Sequence, residues 1–305
     1  MTGTSAGAMT GVIADDLARV RYLRAFEPGE IALRYADRRR RSFLGTDGRL
    51  LLVAADHPAR GALGVRDQPT AMANREDLLL RLITALRRPG VDGVLATADI
   101  IEDLLLLGVL DDKVVIGSMN RGGLQGASFE FDDRFTGYDA QGLADGRLDA
   151  GKMLCRICLD DPGSVATLES CGRAVSELAR LGLTSLVEPF WSQRSGNRVV
   201  NDLSVDAVIR SIAVASGLGA RSSHMWLKLP VIDRMDEVMA ATTLPALLLG
   251  GDPTANPETT YASWARALAV PGVRGLVVGR TLLYPPGDDV GAAVDIAASL
   301  VHGSP

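Results

Sequence analysis

The chain has 305 residues, of which 47% are hydrophobic, and its 32 basic and 37 acidic residues give a net charge of -5. This length suffices for one large α/β domain or two ordinary ones, and the composition excludes collagen-like, disordered and disulfide-scaffold proteins. A mildly acidic chain is not expected to bind nucleic acid or anionic membranes, because both require an excess of positive charge. Three cysteines in the whole chain indicate a reducing compartment.

The N-terminal region shows no targeting signal. Residues 1–12 lack the basic and apolar segments of a signal peptide, and no run approaches the ~20 apolar residues of a membrane span. We therefore expect a cytoplasmic protein, with residues 1–12 disordered and an amphipathic helix over 14–43 ahead of the first strand. The basic run at 38–41 suits the C-terminal dipole of that helix, and nucleic-acid binding is its minor interpretation.

Eight short β-rich runs alternate with longer amphipathic stretches. Near-continuous hydrophobicity in these runs is typical of parallel strands that helices cover from outside. The predicted strands are 50–56, 92–99, 113–119, 151–158, 185–190, 224–230, 245–251 and 274–280.

Apolar residues at helical spacing predict helices between the strands, over 70–88 and 163–181 for example. Ser204 or Asp202 is expected to cap a further helix, and Asn256–Pro257 to begin another with proline in its first turn.

Eight βα units in a chain of this length predict a (β/α)8 TIM barrel over residues 50–301, in a single domain with the extra N-terminal helix. A doubly wound open sheet is the alternative. That fold would show a Gly-rich fingerprint after its first strand, and none follows Asp56.

The connection at residues 120–139, between the third predicted strand and its helix, is unusually long. It is Gly-rich, aromatic and charged, reading NRGGLQGASFEFDDRFTGYD. Such loops are usually functional or disordered, and in a barrel this one lies on the C-terminal face, where active sites are built. We interpret it as a lid or specificity loop, with a structural hairpin as an equal alternative.

Lysine is scarce, because only Lys113, Lys152 and Lys228 accompany 29 arginines. In the sixth predicted strand, Lys228 shares a face with His224 and Trp226, and the opposite face is apolar. The apolar face suits the helix layer, so Lys228 is predicted to point into the barrel near the strand's C-terminal end. Burial disfavours the charged amine, and a neutral amine there can form a Schiff base with a carbonyl. A buried structural salt bridge is the alternative.

The same alternation places Lys152 and Arg156 of the fourth strand inside the barrel. Either cation can bind an anionic substrate or, by repulsion, favour a neutral amine at Lys228. Lys152 begins its strand and is therefore predicted to lie lower in the barrel than Lys228. Lys113 follows two aspartates at the opposite end of the barrel and is predicted to be a solvated surface residue.

Two carboxylates occupy corresponding interior positions. Asp56 ends the first predicted strand, Glu188 lies within the fifth, and Asp99 at the end of the second is a weaker candidate. A carboxylate at such a position can transfer a proton or bind a substrate hydroxyl. The alternative is that each one only neutralises an interior cation.

The last two predicted strands end in Gly250–Gly251 and Gly279–Arg280. In TIM barrels the loops after these strands frequently bind phosphate through backbone N–H groups, and glycines permit close approach. The two glycine-containing ends together predict a phosphorylated small-molecule substrate.

Metal binding is poorly supported. A strand turns Cys155 and Cys158 to opposite faces, and the three histidines, His57, His224 and His302, include no closely spaced pair. We therefore expect neither a metal nor another cofactor.

Taken in order, these motifs resemble the class I aldolases of the DeoC/FbaB/LacD superfamily over about residues 50–285. The matching segments are AADHPARG (54–61), GKMLCRI (151–157), LVEPF (186–190), WLKLP (226–230), LLLGGD (247–252) and LVVGRTLL (276–283). The segment FDDRFTGYDA is also similar to one in the aldolase-like barrels of bacterial inositol catabolism.

The resemblance implies roles for individual residues. Lys228 would form the Schiff base, Lys152 and Glu188 would assist it, and Asp56 would contact the substrate. The substrate and its phosphate would be held by Gly250, Gly251, Gly279, Arg280, Arg156 and His57.

The implied reaction cleaves or forms a C–C bond in a phosphorylated keto sugar or keto sugar acid. 5-Dehydro-2-deoxyphosphogluconate and a ketose (bis)phosphate are candidates, and a homo-oligomer is expected. Pro58 in place of the glycine of the usual DHG motif, and TLLYPP after Gly279, depart from the fructose-bisphosphate members and bear on the substrate more than the chemistry. A Schiff-base acyl-transfer enzyme and a non-catalytic sugar-phosphate-binding barrel are the alternatives.

Overall fold

The computed structural model of the protein describes residues 4–196, 198–251 and 256–303, with side chains from Asp15 onward. Within these residues eight parallel strands form the barrel: β1 (Leu50–Ala54), β2 (Gly93–Ala96), β3 (Val114–Ser118), β4 (Ala150–Ile157), β5 (Thr184–Ser195), β7 (Met225–Leu229), β8 (Ala246–Leu249) and β9 (Val273–Val278). They pair in this order, and β9 pairs with β1 to close the ring. The predicted (β/α)8 TIM barrel is confirmed.

The lower interior of the barrel is apolar. A strand that is covered on both faces buries the side chains that point to either face, and every residue of β1 to β4 is buried. The inward-facing core consists of Leu50, Leu52, Ala54, Leu95, Val114, Ile116, Ala150, Leu186, Leu247 and Val277. Gly275 of β9 has φ near 137° and lies against the Leu50 carbonyl, so a side chain there would collide with the backbone of β1.

The helices of the outer layer are α3 (Arg75–Leu86), α4 (Ala98–Leu106), α5 (Ala140–Asp145), α6 (Gly163–Arg180), α7 (Val205–Ser216), α8 (Met235–Ala240), α9 (Pro257–Leu268), α10 (Arg280–Leu283) and α11 (Val290–His302). Two predicted N-caps are confirmed, because Ser204 accepts the Ala207 N–H at 3.4 Å and Asn256 accepts the Glu258 N–H at 3.1 Å. Among the described helices, none combines the length and apolarity needed to cross a bilayer.

The N-terminal region forms two helices where one was predicted over 14–43. These are α1 (Thr4–Phe26) and α2 (Gly29–Asp37), and Pro28 lies between them. Proline disfavours a helical conformation in the residue before it, which accounts for the break. α1 begins at Thr4, ten residues before the predicted start of the N-terminal helix at residue 14.

The basic run after α2 closes the bottom of the barrel. Arg40 pairs with Asp149 at 2.8 Å, Arg38 lies 3.6 Å from the same carboxylate, and Arg41 pairs with Asp92 at 2.5 Å. Each aspartate also accepts a backbone N–H from a neighbouring strand, β3 for Asp149 and β1 for Asp92. The run is therefore structural, and its minor interpretation as a nucleic-acid site is not supported.

A hairpin that was not predicted rises above the barrel. β5 continues to Ser195, past the predicted end at residue 190, and β6 (Arg198–Asn201) returns antiparallel to it, with Ser192 opposite Asn201. This hairpin stands at the carboxyl ends of the strands and extends one side of the barrel mouth.

We expect Asp149→Ala to lower the free energy of unfolding by about 3 kcal/mol. The substitution leaves the buried Arg38 guanidinium without its carboxylate counter-ion and a buried N–H of β3 without its acceptor. Urea denaturation measures the effect. Asp111→Ala is the matched control, since Asp111 is half-exposed beside the exposed Arg39, and its loss should cost less than about 1 kcal/mol. Equal losses in the two variants would contradict the role assigned to Asp149.

Candidate active site

A cavity of about 610 Å³ opens at the carboxyl ends of the barrel strands. The four predicted catalytic residues line it together: Lys228 from β7, Glu188 from β5, Lys152 from β4 and Asp56 directly after β1. Strand alternation turns each of them inward, as predicted. All four are nearly buried, with no more than 7% of each residue exposed.

These side chains form a continuous chain of opposite charges. Glu188 Oε1 lies 3.0 Å from Lys228 Nζ, and its Oε2 contacts Lys152 Nζ. Lys152 Nζ also donates to Asp56 Oδ2 at 3.2 Å. Lys152 therefore does reach the cluster, since one carboxylate bridges it to Lys228.

Arg121 completes the cluster and was not predicted. It lies in the 120–139 loop, pairs with Asp56 Oδ2 and donates to Ser118 Oγ, which in turn donates to Asp56 at 3.2 Å. Counting the described side chains in direct contact, Lys228, Lys152 and Arg121 face Glu188 and Asp56. Full ionisation would thus leave one surplus positive charge in a nearly buried cluster.

The electrostatics follow from burial and from this charge count. Although burial opposes ionisation of Glu188, the ammonium groups of Lys152 and Lys228 hold its pKa well below the usual range. Burial lowers the pKa of Lys152 far below its ordinary value, against the opposing effect of Glu188 and with the help of Lys228 and Arg121. Lys152 is therefore the amine of the cluster that burial and the neighbouring cations disfavour most clearly in its charged form.

Two minor sequence-based assignments are corrected by the structure. Asp99 does not end a strand at the site but lies in the first turn of α4, half-exposed and paired with Arg75. Lys113 is at the opposite end of the barrel, as predicted, but it is partly buried and donates to the Val91 carbonyl at 2.6 Å.

The predicted phosphate-binding residues line one side of the cavity mouth. Gly250 and Gly251 follow β8, and Gly279 and Arg280 follow β9. A side chain at Gly279 would lie 2.7 Å from the Ala54 carbonyl oxygen, so only glycine fits there. Arg280 Nη1 donates to the Gly64 carbonyl at 3.3 Å, which orients the guanidinium along this rim.

His57 lies on the same side, against Gly279. Burial, reinforced by the positive charges of Arg280, Lys228 and Lys152, lowers its pKa to about 3, so the imidazole is neutral at physiological pH. Its Nδ1 atom has no hydrogen-bond partner among the described residues. Nδ1 is itself buried, but the ring keeps 27% of its side-chain surface exposed and lines the cavity, so the imidazole can exchange a hydrogen bond with a substrate.

Arg156 lines the opposite side, but its charge is already matched within the protein. Its Nη1 donates to Glu130 Oε1 at 2.5 Å and its Nη2 to the Glu130 carbonyl at 2.9 Å. The prediction that Arg156 faces the interior is confirmed. Its predicted role in binding a substrate anion finds little support, because Glu130 holds the guanidinium.

The 120–139 loop folds tightly against this end of the barrel. Arg60 pairs with Asp133 and donates to the Gly123 carbonyl at 2.7 Å, and an isolated antiparallel bridge joins Asn120 to Phe135. The loop thus has hairpin character and also supplies Arg121 to the site. Its interpretation as a lid or specificity loop stays a prediction.

The residues missed from sequence lie in loops. Arg60, Arg121, Glu130 and Asp133 carry no periodic pattern, and what flagged three of them was the length and charge of the 120–139 loop. Within the ranges that the structure describes, no group of three or more His, Cys, Asp or Glu side chains is placed to hold a metal ion.

The buried neutral histidine predicts a pH dependence of stability. Because His57 titrates near 6.5 when unfolded and at about 3 when folded, the unfolded chain binds more protons between these values. The free energy of unfolding should therefore fall by up to about 1.4 kcal/mol per pH unit through this histidine as the pH drops below about 6.5. In urea denaturation from about pH 7 to about pH 4.5, the stability advantage of wild type over His57→Gln should shrink. If the difference in free energy of unfolding between wild type and His57→Gln stays constant with pH, His57 is not a buried neutral base.

Comparisons with known proteins agree with this fold. The crystal structure of Cgl0159 from Corynebacterium glutamicum is 58% identical in sequence, with a TM-score of 0.93, and the match covers 94% of this chain and 97% of that one. An archaeal fructose 1,6-bisphosphate aldolase matches with 19% identity and a TM-score of 0.62, over 90% of this chain and 100% of that one.

A further archaeal fructose-1,6-bisphosphate aldolase structure, in which the catalytic Lys is covalently bound to the carbinolamine intermediate, matches with 18% identity and a TM-score of 0.63 over the same shares. At such identities the two aldolases share the fold with this chain. No protein with curated annotation matches the chain in sequence. A family model described as Cgl0159-like matches residues 48–298, which is most of the chain. The chain therefore belongs to the Cgl0159-like family.

Proposed function

We propose that this protein is a class I aldolase that cleaves or forms a C–C bond in a phosphorylated keto sugar or keto sugar acid through a Schiff base on Lys228. The observation that carries the proposal is the nearly buried Lys228 amine, 3.0 Å from the Glu188 carboxylate in a cluster with a surplus cation. The archaeal aldolases of similar fold, one of them captured as a carbinolamine on its lysine, support this chemistry.

In the first half-reaction Lys228 Nζ attacks the substrate ketone. Glu188, whose lowered pKa keeps it ionised, accepts a proton from the amine across the 3.0 Å contact and returns it to the carbinolamine oxygen. A second proton, passed from the Lys152 ammonium through Glu188, lets the carbinolamine hydroxyl leave as water, and a protonated imine remains. Lys152 contacts the other oxygen of Glu188 and holds the carboxylate between the two amines.

In the second half-reaction the iminium acts as an electron sink. The hydroxyl one carbon beyond the α-carbon loses its proton to Glu188, its C–O bond becomes a carbonyl, and the C–C electron pair moves into the enamine. Asp56, fixed by Lys152 and Arg121, is placed to bind this hydroxyl. Protonation of the enamine and addition of water then release the ketone and restore Lys228.

The phosphate of the substrate is held at Gly250, Gly251, Gly279 and Arg280. Glycine lets the substrate approach the backbone closely, and Arg280 supplies positive charge on the same rim. Anchoring the phosphate there fixes the ketone over Lys228, which lies on the neighbouring strand β7.

We expect borohydride to trap one covalent adduct on Lys228 when the protein is incubated with its phosphorylated ketone. The probes are dihydroxyacetone phosphate, fructose 1,6-bisphosphate and 5-dehydro-2-deoxyphosphogluconate, and peptide mass spectrometry locates the adduct among just three lysines. Lys228→Met should abolish the adduct and lower kcat/KM about a thousandfold or more, since it removes the nucleophile.

Lys113→Met is the matched control, because Lys113 lies at the other end of the barrel and should leave trapping unchanged. Ligand-dependent thermal protection with no adduct would identify a non-catalytic sugar-phosphate-binding protein instead. An adduct followed by acyl transfer to a thiol would identify the acyl-transfer alternative. An adduct that survives in Lys228→Met would refute the assignment of the nucleophile.

We expect Glu188→Gln to lower kcat about a hundredfold, because the amide cannot accept the proton of Lys228. The change also leaves two nearly buried amines without their shared carboxylate, so the free energy of unfolding should fall by about 3 kcal/mol. Single-turnover kinetics and urea denaturation separate the two effects. Glu169→Gln, an exposed carboxylate on α6, is the matched control. A kcat that is unchanged in folded Glu188→Gln would rule out the proton-transfer role.

A further inference from the structure

The two walls of the cavity differ in chemistry. The wall formed by β8, β9 and the loop after β1 carries Gly250, Gly251, Gly279, Arg280 and His57. The wall formed by β4 and the β5–β6 hairpin carries the apolar side chains Leu154, Phe190, Val199, Val200 and Leu203. Lys228 stands between the two walls, because β7 lies between β5 and β8 in the barrel.

The apolar wall begins directly above the ion cluster. On β4, Leu154 is two residues beyond Lys152, and on β5, Phe190 is two residues beyond Glu188. Because side chains of one strand face share a parity, both point into the barrel, Leu154 opposite Glu188 and Phe190 opposite Arg156 in the strand register. Substrate atoms on this side of Lys228 therefore meet these two hydrocarbon side chains, with Arg156 beside Phe190.

The hairpin continues the same wall to the rim. The Asp202 N–H donates to the Trp191 carbonyl at 2.8 Å, which brings the chain after β6 back beside the end of β5. Val200 and Leu203 line the cavity there and keep 42% and 50% of their surface exposed. Exposed apolar side chains at a cavity mouth gain free energy when an apolar group covers them.

The polar side chains described on this wall are occupied by protein partners. Arg156 is held by Glu130 through two hydrogen bonds, and Asn201 Oδ1 accepts the Ser192 hydroxyl at 2.8 Å. A polyhydroxylated fragment placed here would compete with these hydrogen bonds for the side chains that make them, and that competition costs free energy.

We propose, on the basis of the aldolase function above, that the fragment released or accepted as an aldehyde is apolar, an aliphatic or aromatic aldehyde rather than a polyhydroxylated one. This narrows the substrate of that function to a phosphorylated ketone whose far end carries neither hydroxyls nor a carboxylate, and it excludes a keto sugar acid. The substrate lies across the cavity with its phosphate on the glycine-rich wall, its ketone at Lys228 and its apolar end on Leu154, Phe190 and the β5–β6 hairpin. This assigns the hairpin residues Val199, Val200 and Leu203 to aldehyde specificity.

The reaction balances without a further reactant. In the direction of synthesis, the Lys228 imine of the phosphorylated ketone loses an α-proton to become an enamine. The enamine carbon attacks the aldehyde carbon, the new C–C bond forms, and the aldehyde oxygen takes up a proton as a hydroxyl. Water then hydrolyses the imine, which returns the water lost when the imine formed.

The test compares two acceptor aldehydes of the same shape. 2-Methylbutanal is glyceraldehyde with each hydroxyl replaced by methyl, so the pair isolates polarity from size. With the phosphorylated ketone that gives the Lys228 adduct as donor, kcat/KM for 2-methylbutanal should exceed that for glyceraldehyde by about tenfold or more. In Val200→Thr/Leu203→Asn this preference should fall to near parity. Val165→Thr, an equally conservative change at an exposed residue of α6 outside the cavity, should retain it.

The outcomes separate this inference from the function on which it rests. Absence of any Lys228 adduct with every ketone overturns the aldolase function and the inference together. An adduct with preference for glyceraldehyde overturns the inference alone. A double variant that keeps the wild-type preference also overturns the inference alone. This holds even if size-exclusion chromatography shows a changed oligomeric state, because the exposed residues would then contribute to assembly and not to aldehyde specificity.

Discussion

The bridge that Glu188 makes between Lys152 and Lys228 is the interaction on which the candidate site depends. Two amines within reach of one another in a closed barrel repel, and burial penalises each of them. A single carboxylate with one oxygen on each amine offsets both effects and leaves neither amine fully satisfied. The barrel makes this possible because adjacent strands β4 and β5 present Lys152 and Glu188 to the interior two residues apart in register, while β7 brings Lys228 from the other side.

The long loop and the ion cluster form one unit. Arg121 of the loop completes the charge chain through Asp56, and the same loop is held down by Arg60 on Asp133. Arg156 on Glu130 adds a third such pair. Each arginine on this side of the cavity is thus matched by a carboxylate, so the loop is ordered by the ion pairs that also neutralise this side of the site. The rim at Gly279 and Arg280 lies on the other side of the cavity, at the predicted phosphate position.

Sequence reasoning succeeded where the controlling rule is local. Strand alternation has a period of two, so the inward direction of Lys152, Glu188 and Lys228 could be predicted from the immediate neighbours alone. The position of Asp56 followed from the end of its strand. Predictions that depended on contacts distant in sequence were less complete. Strand alternation predicted that Arg156 faces the cavity. Its hydrogen-bond partner Glu130 lies 26 residues away in sequence, in a loop without a periodic hydrophobic pattern, so the pairing could not be predicted.

The missed hairpin shows the same limit in another form. Residues beyond 190 lack a clear apolar run, because β6 is half-exposed and pairs with a single partner strand, so one face of it needs no hydrophobic residues. Asp99 was misplaced because β2 ends at Ala96 and the helix starts within two residues, which turns that carboxylate to the outside. When a strand is short, the residue at which it ends determines whether the following side chain faces the cavity or the solvent.

Substrate selection has to be inferred from the walls of this cavity, since the aldolases of similar fold share fewer than one residue in five with the chain. The lysine and its carboxylate constrain the chemistry of bond making, and they are positioned by the barrel itself. The recognition surfaces come from elements outside the barrel core, the glycine turns on one side and the β5–β6 hairpin on the other. A barrel can therefore keep one imine-forming centre and change its substrate by altering a hairpin, because the catalytic cluster and the apolar wall share strands but few hydrogen bonds.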